Sequence, residues 1–217
     1  AISLAHIIAS PELPWNYAWL SRNPNLTEQE VTDLVCGEPE SCPWSNLSYN
    51  HNLSKNFLRT HQHQPWNWSA MSSHPNLPWE LVAQYPDRRW CWSSLSRHPN
   101  LSWDFVTQHL DLPWHWQSLS GRSDVSWLDV NQATHYPWDY SGLASNPNVT
   151  PEIIQSHRHL PWCWVTYSQN STVTWETVQA NPGIPWNPRG LSRNQNITPE
   201  IVRKNQNFPW DYAALSG

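Results

Sequence analysis

Lysine, glycine, cysteine and long apolar runs are all scarce in this sequence, and each shortage removes a class of reading. Lysine occurs only at Lys55 and Lys204, and 12 basic residues face 17 acidic ones for a formal net charge of -5. A surface for nucleic acid or anionic membrane needs a basic stripe, and none is visible. Six glycines in 217 residues leave little material for a phosphate loop, and no Gly-x-Ser-x-Gly elbow occurs. No run of about 18 apolar residues exists, so no transmembrane helix is expected. Four cysteines, Cys36, Cys42, Cys91 and Cys163, are too sparse for a disulfide framework and lack zinc-ligand spacing. The chain opens at Ala1 without Met or a signal peptide, which reads as a processed product or a piece of something longer.

Tryptophan and proline are abundant instead, with 18 and 20 copies. That is too aromatic for a disordered chain despite the proline. The tryptophans are in phase. One following Pro or Arg recurs at Trp15, Trp44, Trp66, Trp90, Trp114, Trp138, Trp162, Trp186 and Trp210. From Trp66 onward every spacing is 24 residues; the first two are 29 and 22. With that Trp as position one, position three is aromatic at Tyr17, Trp68, Trp92, Trp116, Tyr140, Trp164 and Tyr212, with Asn46 and Pro188 as exceptions. Position six is mostly Leu. An Asn-Pro-Asn turn or a relative follows, then an aliphatic residue from Leu26 to Ile197, then Ser or Thr.

"NITPEIVRKN" reads as a helix start: Thr198 at the N-cap, Pro199 at the first helical position, Glu200 toward the positive terminus. The same pattern assigns N-caps to Thr27, Ser54, Ser102, Ser126, Thr150, Thr174 and Thr198, opening a first helix of about seven to nine residues. Pro beside Trp is read as opening a second short helix, partly 3₁₀, which ends at Asn-Pro because the residue before Pro disfavours the α region. Ordering such a unit costs on the order of 1.5 kcal/mol per residue, whereas a buried Trp returns roughly 4–6 kcal/mol. One unit cannot stand alone, so the position-one tryptophans are assigned to a core between repeats. The expectation is an all-α, right-handed α-solenoid of about nine two-helix repeats with a 24-residue period. It is read as a single array over 1–217, irregular over 15–65, regular over 66–209, with partial repeats at both ends.

"LASNPNVTPEIIQSH" and "LSRNQNITPEIVRKN" resemble the leucine-rich variant repeat, which has a 24-residue period and an Asn-Pro-Asn-x-x-Pro-Glu-like helix start. The resemblance covers nearly the whole chain, most weakly residues 36–66. It implies a right-handed solenoid of one α-helix and one 3₁₀ helix per repeat. The chain departs from the family in placing Trp-x-Trp where the family has smaller residues. The Trp-rich form is similar to arrays encoded by large DNA viruses of protists, which implies a viral origin and no reaction.

No constellation points to catalysis, a cofactor or a metal. His61 and His63 sit in the irregular repeat with no nearby Cys or carboxylate, and His74 and His98 take the Asn place of the Asn-Pro-Asn turn. Carboxylates at Glu80, Asp104, Glu152, Glu176 and Glu200 recur one per repeat and are read as first-turn helix charges. Cys91 and Cys163 lie three repeats apart, roughly 25–30 Å, beyond bridging distance; Cys36 and Cys42 are the candidate disulfide. Both chain ends are apolar, and solenoids need polar capping repeats, so further chain, a second copy or another protein is expected to cover them. The functional expectation is a non-enzymatic repeat scaffold for protein–protein interaction, a structural component of a large assembly, without nucleic-acid binding or membrane insertion. The alternative is a solenoid that recognises glycan or peptide through exposed Trp, Tyr and Asn.

Overall fold

A computed structural model describes His6, residues 14–35 and residues 42–216. Seventeen short helices are assigned, with no strand among the described residues, and none is long and apolar enough to cross a membrane. They fall into two compact units, 1–114 and 115–217. Within each unit the repeats stack as an all-α solenoid, each layer containing a first and a second helix.

The first helices are Glu28–Val35, Lys55–Thr60, Trp79–Gln84, Trp103–Gln108, Trp127–Gln132, Pro151–Ser156, Trp175–Ala180 and Pro199–Lys204. All but the eight-residue Glu28–Val35 have six residues, fewer than the sequence pattern suggests. The cause is tertiary. The residue closing the helix leaves α geometry, as His109 does at φ -133°, ψ 52°. Its carbonyl then accepts the indole N–H of the position-one Trp five residues on. Seven such bonds of 2.8–2.9 Å run from Trp66 to His61 through Trp210 to Asn205.

The second helices are Tyr17–Leu20, Trp44–Leu47, Trp68–Met71, Trp92–Arg97, Trp116–Ser120, Tyr140–Ser145, Trp164–Ser168, Pro188–Ser192 and Tyr212–Leu215. They begin at position three, so the Pro-Trp pair lies in the connection before the helix. The Trp66 N–H turns back onto the Gln64 carbonyl at 2.7 Å, and position two becomes the N-cap. Asn67, Asp139, Asn187 and Asp211 cap with their own side chains, accepting the N–H three residues ahead. The body is α-helical, with i→i−3 bonds at the ends, as from Ser94 to Cys91. His98 and Asn146, each before a proline, are extended and terminate their helices.

In the 115–217 unit successive second helices pack against one another. Position five is small where they meet. A methyl on Gly142 would press into the Gln117 carbonyl oxygen and stand 2.8 Å from Ser120 Cβ. Gly190 is as tightly placed against Val165 O and Ser168 Cβ. The layer cores are aliphatic: Leu26, Leu53, Leu77, Leu101, Val125, Val149, Val173 and Ile197 are all buried, as are Leu95, Leu119, Leu143 and Leu191 of position six.

The structure shifts one register. Trp44 opens Trp44–Leu47 as Trp68 opens Trp68–Met71, so it is a position-three residue and buried Cys42 takes position one. Leu47, Ser48, Asn50 and Leu53 stand 24 residues before Met71, Ser72, His74 and Leu77. Leu20, Ser21, Asn23 and Leu26 stand 27 residues before Leu47, Ser48, Asn50 and Leu53. The irregularity is therefore one three-residue insertion upstream of Trp44, and the 22-residue spacing joins two unlike positions. Packing fixes the alignment, because the second-helix leucine and the following turn must meet their neighbours.

Candidate functional site

Three ladders of side chains join the layers, and they account for most of the recurrent polar residues. In the first, a buried Ser at the end of a second helix accepts the position-two N–H of the next layer. Asn67 donates to Ser48 and Cys91 to Ser72 at 2.8 Å; Asp139 donates to Ser120, Asn187 to Ser168 and Asp211 to Ser192 at 2.9–3.0 Å.

The second ladder uses the first residue of the Asn-Pro-Asn turn. Its Oδ1 accepts the N–H two residues ahead, an Asx turn, while its Nδ2 reaches back to carbonyls of the preceding layer. Asn146 donates to Ser120 O, Arg122 O and Val125 O at 3.0, 2.8 and 3.0 Å. Asn170 and Asn194 repeat the arrangement. In the third, the second Asn of the turn does the same nearer the surface, as Asn52 does to Leu26 O, Asn76 to Leu53 O, and Asn148 to Val125 O. Arg122 and Asp124 replace both asparagines of one turn with a two-point ion pair at 2.7 and 2.8 Å. The sequons of Asn52, Asn148, Asn170 and Asn196 follow from this use: each amide nitrogen that would carry a glycan is a donor between layers.

The position-three ring adds an apolar link, packing edge-on against the position-one Trp of the next layer. Centroids lie 4.9–5.5 Å apart for Trp44–Trp66, Trp68–Trp90, Trp92–Trp114, Trp116–Trp138 and Tyr140–Trp162. Trp-x-Trp is thus one ring tied by its indole N–H within the layer and one ring seated on the layer that follows.

Of the nine tryptophans assigned to the core, Trp44, Trp66, Trp90, Trp114, Trp138, Trp162 and Trp210 are buried, whereas Trp15 and Trp186 are half-buried. Trp186 lies stacked on Tyr167, 5.7 Å away. Among the assigned N-caps, Thr27, Ser54, Ser102, Ser126, Thr174 and Thr198 accept the expected backbone N–H. Thr150 stands at the cap position without doing so; its hydroxyl bonds the Glu152 carboxylate and so holds that carboxyl below its ordinary value. Cys42 is buried and disulfide-bonded. Cys36, and with it the Cys36–Cys42 pairing, lies outside the described residues. Cys91 and Cys163 are free thiols.

His61 is a helix C-cap: Nδ1 meets Phe57 O at 2.9 Å, and His109 and His157 repeat this in phase. No group of three or more His, Cys, Asp or Glu suited to a metal ion occurs among the described residues. The tryptophans opening first helices lean on the next layer, Trp79 on Phe105, Trp127 on His157, and Trp175 on Trp210. The indole N–H groups of all three are buried without a hydrogen-bond partner.

Three surface features remain. In the first unit Trp19 is 68% exposed and Tyr49 44% exposed. Between them the Arg22 guanidinium lies 5.1 and 4.2 Å from the two rings, with its buried Nε unpartnered. In the second unit a cavity of about 310 Å³ is lined by Trp127, Asn131, Tyr136, Tyr140, His157 and His159, among others. A larger open groove of about 500 Å³ lies on the last layer against Ile197, Val202, Tyr212 and Leu215. Sequence reasoning missed the Trp19–Arg22–Tyr49 cluster; its only advance signal was a Trp at position five, where other layers carry Gly, Ala, Ser, Thr or Asn. No protein-family model matches this chain, and neither does any curated protein or solved structure.

Proposed function

We propose that this chain is a non-enzymatic interaction scaffold, a structural part of a larger protein assembly. The observation that carries the reading is the Trp19–Arg22–Tyr49 cluster. Trp, Tyr and Arg are the residues over-represented where protein interfaces concentrate their binding energy. Here Trp19 and Tyr49 are exposed, and the half-buried Arg22 holds its guanidinium against both rings. The groove on the Tyr212–Leu215 layer is the second contact of this reading, taking further repeat-like chain or another copy. The viral origin implied by the resemblance would make the assembly virion-associated.

The test is the mass of the native particle by light scattering, with crosslinking of whatever co-purifies, compared between wild type and a Trp19→Ala/Tyr49→Ala variant. A large particle that crosslinks through the cluster and is lost in the variant supports the reading. A native monomer overturns it. The cavity beside Trp127 favours a second reading, recognition of an uncharged glycan by stacking on aromatic rings, with an acceptor for the free indole N–H. Tryptophan fluorescence quenched by oligosaccharide in wild type but not in Asn131→Ala would favour that reading instead.

A further inference from the structure

The first position of the inter-layer turn holds asparagine at 23, 50, 146, 170 and 194, arginine at 122, and histidine at 74 and 98. The two histidines reproduce the turn bond and one of the inter-layer bonds of the asparagines. Nδ1 accepts the N–H two residues ahead, from Asn76 to His74 at 3.2 Å and from Asn100 to His98 at 3.1 Å. Nε2 meets the preceding turn, at Asn50 O (2.9 Å) and His74 O (3.1 Å). A backbone N–H aimed at Nδ1 and a carbonyl aimed at Nε2 admit one form only, the neutral ring protonated on Nε2. The rungs are consecutive, so His98 hangs from the peptide of His74. Both side chains are buried.

We propose that His74 and His98 form an acid-sensitive joint: protonation breaks two successive rungs and opens the seam between the layers at residues 50–101, while the asparagine rungs of the second unit hold. A proton on Nδ1 would confront the Asn76 or Asn100 N–H with a second donor, leaving both unsatisfied in a buried site. An asparagine rung has no proton to gain in this range.

The surroundings offer a charge on His74 little compensation. His74 faces the His51 ring at 5.6 Å and also His98, and both neighbours oppose a positive charge on it. His98 also faces the ring of Trp79 at 5.3 Å. The charged residues of the packed helices, Lys55, Arg59, Glu80, Arg97 and Asp104, are all exposed, and Glu80 is engaged by Arg59 and Lys55. Burial pushes the His74 imidazole below its ordinary 6.5; the bond to Asn50 opposes this and the neighbouring histidines add to it. A base whose folded value is depressed binds its proton more readily unfolded. The joint is therefore intact above about pH 6.5 and weakens as pH falls below it.

The experiment is amide hydrogen exchange on the full chain between about pH 7.5 and pH 5, expressed as protection factors, for wild type and for His74→Asn/His98→Asn. In wild type, protection over residues 50–101 is expected to fall as pH drops below 6.5, by up to about tenfold per pH unit for the His74 proton, with residues 146–197 changing far less. The asparagine variant, carrying the residue of the other rungs, should lose this pH dependence. Equal pH dependence in the two proteins, or none in wild type, overturns the joint. Should the variant fold poorly, the ¹⁵N shifts of the wild-type imidazoles decide. A neutral Nε2–H form persisting well below 6.5 supports the proposal, and titration at or above 6.5 overturns it.

Discussion

Replacing Asn146 by Asp changes one NH₂ into an oxygen and tests whether the turn asparagine is a tether between layers or only a local cap. A local cap needs only Oδ1, which accepts the Asn148 N–H at 2.8 Å, and aspartate supplies that equally well. The tether needs Nδ2, which serves three backbone carbonyls at 2.8–3.0 Å in a buried site. In Asn146→Asp an oxygen would face three carbonyl oxygens, and the nearby Arg122 is already held by Asp124. An uncompensated buried charge costs about 3–5 kcal/mol. For a chain of this length, that corresponds to a loss of melting temperature on the order of 10 °C. The new carboxyl escapes by staying protonated, so its folded pKa rises; the variant keeps its stability in acid and loses it as pH climbs through the carboxylate range and above. Asn146→His, which imports the residue of the first unit's rungs, should cost less and show the opposite sign, weakening below about pH 6.5. Thermal unfolding against pH reads both. An Asn146→Asp protein that melts with wild type at neutral pH would refute the tether and leave only the local turn.

Further outcomes follow from single contacts. Gly142→Ala should destabilise by about 1–3 kcal/mol through overpacking against Gln117 O and Ser120 Cβ, although alanine is the better helix former; equal or higher stability in denaturant titration would show that the helices can separate. Tyr167 occupies a leucine position, and its buried hydroxyl has no partner and is held strongly against ionisation, chiefly by burial. Tyr167→Phe should therefore stabilise by about 1 kcal/mol or more, and a clear loss of stability would reveal a bond the structure does not contain. The Cys91 thiol, bonded by Ser93 and Ser94, is pushed down to about 7. Its alkylation rate should reach half-maximum near that pH, and a midpoint at the ordinary value of about 8.5 would contradict the contact.

The period, the two-helix layer and most first-helix caps were legible from the sequence, because they rest on interactions within four residues and on recurrence. Thr198, Pro199 and Glu200 announce a helix start whatever surrounds them. The candidate surface was not legible: Tyr49 meets Arg22 only because their two layers are neighbours. Tertiary structure likewise decided that Trp44 belongs to position three and that all first helices but one stop after six residues. It also gave the Asn-Pro-Asn turn a second role and fixed the tautomer of His74. These outcomes depend on bonds spanning 19 to 29 residues, or on an indole arriving to claim a helix's last carbonyl. Periodicity shows that such partners recur; only the stacking of layers determines which atom of one meets which atom of the next.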